Sequence, residues 1–378
     1  MLANNKKISV VLPCRNEEES LDLCLINIKK ILADYNLSGE IIVSDSSTDN
    51  SPNIARDHQV VLIKHGLEGY GLAYLEGFKV ATGDYIFMAD PDNTYDFTEI
   101  PRFIKYLDDG YDFIIGNRFA RNIKKGVMPW SHRYIGNPIL SSLFRLFFKT
   151  NIIDVHCGMR AIKSNSLNKL NLQTSGMEFA SEMVIKAIRN NLKIKQLPID
   201  YHQRSGESKL KTFTDGWRHL RFMLIYSPMF LFFVPGLIIF LIGLLTMVTI
   251  YFNTFKILNI TIQYHPLFLS ALLMIIGYQL IIFSLFSKTY AITHLGEHSQ
   301  TMDKLYKFIT IEKGIVVGFL AGLAGTIIYL IIFIKWLQNG FGELSEIKNS
   351  IIALTLIIFG IQTAFSSFIL SILSIKEK

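Results

Sequence analysis

YIFMADPD, residues 85–92, is an apolar run that ends on two carboxylates, Asp90 and Asp92. Four consecutive apolar residues are enough for a buried strand, so both carboxylates would emerge where that strand stops. Two hard oxygen ligands one residue apart suit Mg²⁺ or Mn²⁺, ions that keep coordination positions for diphosphate oxygens. An Asp-x-Asp pair also occurs in acidic loops that merely end a strand. The choice between these interpretations depends on the neighbouring segments.

Two earlier apolar runs have the same form. Residues 8–12 lead into Arg15-Asn16-Glu17, and residues 40–44 lead into a polar turn at 45–50. Helical spacing over 17–34 and 52–58 separates these runs, and a further apolar run follows at 60–63. Strands that alternate with helices predict an α/β domain with a mostly parallel sheet covered on both faces. Ligands bind at the carboxyl ends of such strands, so the polar clusters are expected to meet at one edge.

The carboxyl-terminal part of the chain has a different composition. Residues 1–227 hold 29 of the 38 Lys+Arg and 25 of the 31 Asp+Glu. Four apolar stretches follow, near 228–251, 266–286, 314–337 and 350–374. Each is about the 20 residues that a helix needs to cross a bilayer, and none has the polar face that a buried helix of a soluble domain would show. The sequence therefore predicts a soluble domain at 1–211, an amphipathic juxtamembrane helix at 212–227 and a four-helix transmembrane domain at 228–378.

The loops between these stretches predict an orientation. Lys288, Lys304, Lys307 and Lys313 lie in the connection 287–313, and Lys376 and Lys378 lie in the tail, whereas the other two connections carry one lysine each. The lysine-rich side should face the cytoplasm. An even number of crossings then places the amino-terminal domain and the carboxyl terminus on that side. Three cysteines without a Cys-x-x-Cys pair fit this reducing compartment, and the start of the chain has no signal-peptide pattern.

A long segment of the soluble domain carries charge of one sign. Between Asp112 and Asp154 there is no acidic residue but seven basic ones, and residues 139–149 form a hydrophobic run with basic punctuation. This composition is typical of a segment in the membrane interface that meets an anion, and a lipid phosphate fits both properties. General attraction to anionic headgroups is an alternative. Nucleic acid is not expected as a partner of a membrane-anchored chain.

Several motifs, taken in order, resemble one enzyme family. They are LPCRNEE at 12–18, VSDSSTD at 43–49, GDYIFMADPD at 83–92, GNR at 116–118, GMRA at 158–161, FASE at 179–182 and RSGESKL at 204–210. Together they cover most of residues 8–227 and look like the signatures of family-2 glycosyltransferases, in particular the dolichyl-phosphate mannose synthases and the bacterial polyprenyl-phosphate glycosyltransferases. The resemblance implies a Rossmann-like glycosyltransferase A-type domain for the α/β part.

The resemblance also implies roles for individual residues. Nucleotide contacts would come from Pro13, Arg15, Glu17, Asp45 and Asp90, and metal ligands from Asp90, Asp92 and Thr94. Contacts to the acceptor phosphate would come from Arg118, Arg133, Arg204 and Lys209, with a surface charge as the alternative for Arg133. Asp92, Arg118 and Arg204 would be catalytic, and Glu182 would orient the sugar or an arginine.

The implied reaction is transfer of a hexose from a UDP- or GDP-hexose to a polyprenyl phosphate. A phosphate monoester is already largely anionic at neutral pH, so no strong general base is required, and direct attack would invert the anomeric carbon. A hydroxyl acceptor and a lipid-sugar flippase with a degenerate domain are the alternatives. Processive polysaccharide synthases are disfavoured because no Gln-x-x-Arg-Trp string occurs. Gly314, Gly318 and Gly322 would let helices approach closely, within one chain or in a homo-oligomer.

Overall fold

The computed structural model describes residues 6–121, 127–128, 130, 132–205, 212–253, 255–257, 260–262, 264–294 and 311–375. The chain divides into two compact units, Met1–Met223 and Leu224–Lys378. The first unit is α/β, and long apolar helices make up most of the second. The predicted fold class is confirmed.

The first unit is built on one mixed sheet. Its strands are β1 Ile8–Cys14, β2 Gly39–Asp45, β3 Val61–Lys64, β4 Tyr85–Met88, β5 Phe113–Asn117, β6 Arg160–Lys163 and β7 Ile194–Pro198. They lie in the order β3-β2-β1-β4-β6-β5-β7. All neighbouring pairs are parallel except those made by β6, which is antiparallel to both β4 and β5. The sheet is therefore mostly parallel, as predicted.

Helices connect the strands of this sheet. They are α1 Leu21–Asp34, α2 Ser51–Asp57, α3 Tyr70–Val80, α4 Ile100–Asp108, α5 Asn137–Phe148, α6 Ser164–Leu170 and α7 Phe179–Arg189, and α8 Thr212–Ile225 follows the last strand. The amphipathic segment predicted at 212–227 corresponds to α8. The predicted interfacial run at 139–149 corresponds to α5.

Strand β1 lies inside the sheet, between β2 and β4, and buries apolar residues on both of its faces. Ile8, Val10, Val11 and Leu12 are all fully buried. The strand continues through Pro13 to Cys14, two residues beyond the apolar run at 8–12. Beyond Val11 it pairs with β2 but no longer with β4. A proline, which lacks an N–H donor, is tolerated where a strand has only one neighbour.

The polar segments after β1 and β4 turn sharply at asparagines. Asn16 has φ +53° and Asn93 has φ +63°, a left-handed conformation that asparagine adopts more readily than most residues. Since β1, β2 and β4 are parallel, the residues after them lie at the same edge of the sheet. This edge carries the candidate site.

The second unit contains four helices that are long and apolar enough to cross a membrane. A π-helical turn, Met229–Phe233, leads into α9 Val234–Phe252, and a two-stranded hairpin, β8 Phe255–Ile257 and β9 Ile260–Ile262, precedes α10 His265–His294. The last two are α11 Ile311–Gln338 and α12 Ile347–Leu373. The candidate spans are Met229–Phe252, His265–Thr293, Glu312–Gln338 and Ile347–Leu373. They agree with the four predicted stretches and make the chain an integral membrane protein.

The repeated glycines of α11 pack against α12 of the same chain. A Cβ atom at Gly318 would lie 2.6 Å from the carbonyl oxygen of Gly360, and one at Gly325 would lie 2.6 Å from that of Ala353. Small residues of this kind let two helix backbones approach closely in a membrane. Of the two arrangements left open by the sequence, the structure shows the one within a single chain.

Candidate functional site

Residues from the carboxyl-terminal strand edge line one cavity of about 570 Å³ in the first unit. Its lining includes four carboxylates, Glu17, Glu68, Asp90 and Asp92, and four guanidinium groups, those of Arg15, Arg118, Arg204 and Arg218. These residues come from six separate segments of the chain. A cavity with both acidic and basic groups can bind a metal cation together with a ligand that carries anionic oxygens.

Asp90 and Asp92 form the acidic part of the cavity. Burial, and next the charge of Asp92, raise the pKa of Asp90 to about 7. Asp90 Oδ1 is buried without a hydrogen-bond partner among the described residues, and Tyr70 hydrogen-bonds the same carboxyl group. A Cβ atom at Gly158 would lie 2.6 Å from Asp90 Oδ2, so the backbone at Gly158 packs directly against this carboxylate. Two crowded carboxylates of this kind favour a cation between or beside them.

Arg204 supplies a positive charge to these carboxylates. Its Nη2 lies 2.6 Å from Glu17 Oε1, and its Nη1 lies 3.2 Å from Asp92 Oδ2. The next residue is held on the same turn, since Ser205 N donates to Asp92 O at 3.0 Å and Asn93 Nδ2 donates to Ser205 Oγ at 3.0 Å. Arg204, predicted to contact the acceptor phosphate, thus lies in the cavity on two carboxylates.

The residues predicted to bind the nucleotide lie at the carboxyl ends of β1 and β2. Pro13, Arg15 and Glu17 line the cavity. Arg15 also forms an ion pair of 2.7 Å with Glu68, and both side chains are exposed. Asp45 is fully buried, with Oδ2 unpartnered among the described residues, while its neighbour Ser46 lines the cavity. The structure places Pro13, Arg15 and Glu17 in one cavity with Asp90 and Asp92, whereas Asp45 is not among the described residues that line it.

Arg118 lines the cavity but is anchored by an acidic residue that sequence reasoning missed. Its Nε and Nη2 donate to the two carboxylate oxygens of Asp154 at 2.8 and 2.9 Å. Asp154 is fully buried, and the ring of Tyr201 lies 5.3 Å from the guanidinium carbon. This two-pronged ion pair fixes the orientation of Arg118. The only signal for Asp154 was that it ends the acid-free stretch.

Thr94 supports Asp92. Its backbone N–H donates to Asp92 Oδ1 at 3.1 Å, and its hydroxyl donates to the same oxygen. Thr94 is buried and is not among the described residues that line the cavity. The structure therefore shows Thr94 orienting a carboxylate that was predicted to bind the metal beside it.

Glu182 is placed differently from the prediction. It is fully buried in α7 and accepts backbone N–H groups of Gln173 and Thr174 at 3.0 and 2.9 Å. Its carboxylate contacts neither a cavity arginine nor the cavity itself among the described residues, and its ion pair is with Lys186 at 2.7 Å. The loop that Glu182 holds receives a hydrogen bond from Leu72 N to Ser175 O, at the start of α3. Glu182 thus acts through the loop that positions the cavity-lining end of α3.

Arg133 and Lys209 complete the predicted set. Arg133 lies in a π-helical turn, His132–Gly136, with its guanidinium carbon 5.2 Å from the ring centre of Tyr134. It is not among the described residues that line the cavity. Lys209 lies outside the described residues.

Several residues that line the cavity were not among the predicted site residues. Tyr70, Tyr95, His156, Tyr201, Arg218 and His219 all line it. Tyr95 accepts the backbone N–H of Gly158 at 2.7 Å, which ties the segment before β6 to the Asp90 turn. Of these residues, Arg218 and His219 lie within the juxtamembrane helix predicted at 212–227.

Two segments of the chain match known protein families. Residues 9–170 match glycosyl transferase family 2, and residues 285–374 match the glycosyltransferase family 2 C-terminal transmembrane region. The low-salt glycan biosynthesis hexosyltransferase Agl6 of Haloferax volcanii is 35% identical over 364 residues, which are 96% of this chain and 88% of the relative. The dolichyl-phosphate hexose transferase of the same organism is 28% identical over 209 residues, 55% of this chain and 89% of that protein.

Solved structures resemble the sheet-containing unit. A mycobacterial protein has a TM-score of 0.50 at 18% identity and covers 60% of this chain and 78% of its own, which supports the fold. The glucosyl-3-phosphoglycerate synthase of Mycobacterium tuberculosis, crystallised with Mn²⁺, UDP and glucosyl-3-phosphoglycerate, has a TM-score of 0.49 at 20% identity. The match covers 59% of this chain and 80% of that one.

Proposed function

This chain belongs to glycosyl transferase family 2, and we propose that it transfers a hexose from a UDP- or GDP-hexose to a polyprenyl phosphate. It is a glycosyltransferase anchored by its own transmembrane helices. The relatives' names supply the two finer parts of the proposal, the hexosyl group and the dolichyl-phosphate acceptor. The residues of the cavity supply the chemistry.

One observation carries the proposal: carboxylates and guanidinium groups line the same cavity. Asp90 and Asp92 suit the metal ion that accompanies a nucleoside diphosphate. Arg118 and Arg204 suit a second anion. A hydroxyl acceptor would not need that second cationic group. A phosphate acceptor does, because two anionic reactants must approach each other.

The carboxylates fit a divalent cation. Asp90 presents a buried oxygen that has no partner among the described residues, next to the charge of Asp92, and a bound cation would stabilise both ionised groups. Among the described residues no group of three or more His, Cys, Asp or Glu could hold a metal, so an ion here would take its remaining ligands from substrate and water. Mg²⁺ and Mn²⁺ accept such a site. When bound, the ion would stabilise the negative charge that develops on the departing diphosphate.

The reaction follows from an acceptor that is already ionised. A phosphate oxygen attacks the anomeric carbon, the new C–O bond forms as the bond to the diphosphate breaks, and the nucleoside diphosphate leaves with the bonding electron pair. Configuration at the anomeric carbon is inverted. Because the second pKa of a phosphate monoester is near 6, about one charge unit beyond the first is present at pH 7 without a general base. The chain's part is to orient and to neutralise, through Arg118 held by Asp154 and through Arg204.

Charge distribution supports a lipid acceptor and a cytoplasmic site. The acid-free stretch between Asp112 and Asp154 includes Arg118 of the cavity and the amphipathic helix α5. Polybasic, amphipathic segments bind anionic membrane surfaces. Lysines concentrate in the connection 287–313 and in the tail, which favours the cytoplasmic side for both, and with four spans also for the sheet-containing unit.

One assay tests the proposal directly. Purified full-length protein is incubated with UDP- and GDP-hexoses, polyprenyl phosphate and Mn²⁺, with and without chelator. We expect one donor to give a polyprenyl-phosphate hexose, and the chelator or Asp92→Ala to lower the rate at least about 100-fold. Asp57→Ala, an exposed carboxylate at the end of α2, serves as the matched control and should keep the wild-type rate.

The acceptor alternatives give different products. Equal transfer to a free saccharide or to a polyprenol without phosphate would contradict the phosphate acceptor. Full activity in the presence of chelator would contradict the metal while leaving the acceptor intact. A retained anomeric configuration, measured by NMR of the product, would contradict direct attack.

A further inference from the structure

Two histidines on the cavity wall share one serine. Ser181 Oγ lies 2.9 Å from His219 Nδ1 and 3.4 Å from His156 Nε2. The two rings meet edge to face with centroids 4.3 Å apart. Ser181 is fully buried at the start of α7, and both histidines line the cavity. Family membership and the proposed reaction leave this cluster without a role.

The serine links the proton positions of the two rings. A hydroxyl donates once, so when Ser181 donates to His219, His156 Nε2–H donates to Ser181, and His156 Nδ1 is then a bare acceptor. When Ser181 donates to His156 instead, His156 Nδ1 carries the proton and is a donor. In both arrangements His156 Nδ1 is the group left over. It is buried and has no hydrogen-bond partner within the described part of the chain.

Burial favours the neutral form of both rings. Burial, and next the charge of Arg160, lower the pKa of His219 to about 4. Burial, and next His219, lower the pKa of His156 well below its usual value, and Arg118 and Arg160 act in the same direction. A neutral imidazole pair is suited to hydrogen bonding with uncharged groups rather than to ion pairing.

The pair lies close to the carboxylates. His156 is two residues before Gly158, whose backbone packs against Asp90 and accepts no side chain without displacing it. The other polar groups of the cavity include four carboxylates and four guanidinium groups, which match a metal, a diphosphate and an acceptor phosphate. The hexose is the uncharged part of the reactants, and a neutral wall beside Asp90 matches it.

We propose that His156, oriented by Ser181 and His219, hydrogen-bonds a hydroxyl of the transferred hexose through Nδ1 and thereby contributes to the choice of sugar. This inference rests on the proposed function. A buried polar atom without a partner is costly, and a ligand hydroxyl would satisfy it when the donor binds. A site that hydrogen-bonds a substrate hydroxyl also rejects analogues that lack it.

A pair of amide substitutions separates the two ring nitrogens. In His156→Gln the amide can reach the position of Nε2 and keep the link to Ser181, but nothing replaces Nδ1. In His156→Asn the amide can reach the position of Nδ1, but the link to Ser181 is lost. His58→Gln, which alters a hydrogen bond of 2.7 Å between His58 and Asp22 outside the cavity, is the control.

The measurement is a ratio of dissociation constants for full-length protein with Mn²⁺. UDP and GDP are compared with UDP-glucose, UDP-galactose, GDP-mannose and their deoxy-sugar analogues by calorimetry. We expect His156→Gln to weaken binding of the preferred nucleotide hexose about 3- to 10-fold while binding of the free diphosphate stays unchanged. The analogue that lacks the contacted hydroxyl should bind the wild-type protein more weakly than the parent nucleotide hexose by the same factor. His156→Gln should bind this analogue and the parent nucleotide hexose with equal affinity. His156→Asn should lose less than His156→Gln.

The outcomes distinguish this inference from the function beneath it. If His156→Gln weakens the free diphosphate as much as the nucleotide hexose, or weakens neither, the histidine does not recognise the sugar, although the glycosyltransferase proposal stands. If the wild-type protein binds no nucleotide or nucleotide hexose of the panel, the proposed function fails and this inference with it. A loss confined to the hexose, matched by one deoxy position, supports both.

Discussion

Nη1 of Arg204 lies 3.2 Å from Oδ2 of Asp92, and Nη2 of the same guanidinium lies 2.6 Å from Oε1 of Glu17. The side chains of Glu17 and Asp92 are nearly buried, so the pair is only weakly screened by solvent. A guanidinium on Asp92 competes with any metal ion for the same carboxylate. Arg204 therefore links the acidic part of the cavity to the segment that begins at residue 204.

Removing this guanidinium should strengthen metal binding in the absence of nucleotide. We expect Arg204→Gln to bind Mn²⁺ about fivefold more tightly than wild type, the factor that corresponds to ~1 kcal/mol of lost competition. Electron paramagnetic resonance of free Mn²⁺ measures this affinity directly. Arg56→Gln on the exposed face of α2 is the control and should not change it. Unchanged or weaker Mn²⁺ binding in Arg204→Gln would show that Arg204 and the metal occupy separate places.

The carboxylate positions were predictable because they depend on local sequence. Asp90, Asp92 and Glu17 each lie within a few residues after the end of a strand. Parallel strands bring such residues to one edge of the sheet. For the arginines of the cavity, the sequence predicted a positive charge but not the residues that they contact. The partner of Arg118 is Asp154, and the partners of Arg204 are Glu17 and Asp92, all set by tertiary contacts.

Other parts of the site have no local signal. His156 and His219 meet through Ser181, which is 25 and 38 residues away from them along the chain. An isolated histidine in a sequence does not indicate such a contact. The position of Glu182 could not be predicted either, because it accepts hydrogen bonds from the backbone N–H groups of Gln173 and Thr174, and every residue type except proline offers such a group.

Asp90 combines a functional position with a cost to stability. Its carboxyl group is buried beside Asp92, and Oδ1 has no partner among the described residues. Asp90→Asn removes the charge and keeps the shape, so we expect the Tm of the metal-free protein to rise by about 3 °C. The increase in Tm that Mn²⁺ with nucleotide causes in wild type should be absent from the variant. Thermal unfolding followed by tryptophan fluorescence measures both.

Asp92→Asn provides the comparison for this prediction. Asp92 accepts the N–H and hydroxyl of Thr94 and contacts Arg204, so its charge is already compensated. Its neutralisation should lower the metal-free Tm rather than raise it. A fall in Tm for Asp90→Asn as well would contradict the view that Asp90 is held at a cost.

The buried pair of Arg118 and Asp154 should dominate the stability of this region. Asp154→Asn leaves a buried guanidinium without its counter-charge, a change that typically costs about 3–5 kcal/mol. Asp200→Asn breaks the half-exposed pair with Arg121 and should cost less than about 1 kcal/mol. Thermal unfolding of the two variants side by side gives the contrast. Equal losses would mean that burial of Arg118 does not matter.

A double variant separates stability from function at this pair. Arg118→Met with Asp154→Leu replaces both charges by apolar groups and should recover most of the Tm lost in Asp154→Asn. Transferase activity should stay low, because the cavity would lack the guanidinium proposed to contact the acceptor phosphate. Recovery of activity together with Tm would assign Arg118 a structural role alone.

Two glycines of α11 offer a matched test of the membrane unit. A Cβ atom at Gly318 would lie 2.6 Å from Gly360 O and 2.8 Å from Ala364 N, both backbone atoms, whereas one at Gly322 would meet nothing within 4 Å. Gly318→Ala must therefore move α11 away from α12, and we expect Tm in detergent to fall by about 3 °C. Gly322→Ala should leave Tm unchanged or raise it slightly, because alanine favours helix by about 1 kcal/mol over glycine. Should Gly322→Ala destabilise as much as Gly318→Ala, the open face of α11 must contact another copy of the chain, and the mass of the detergent-solubilised particle would then fall in the same variant.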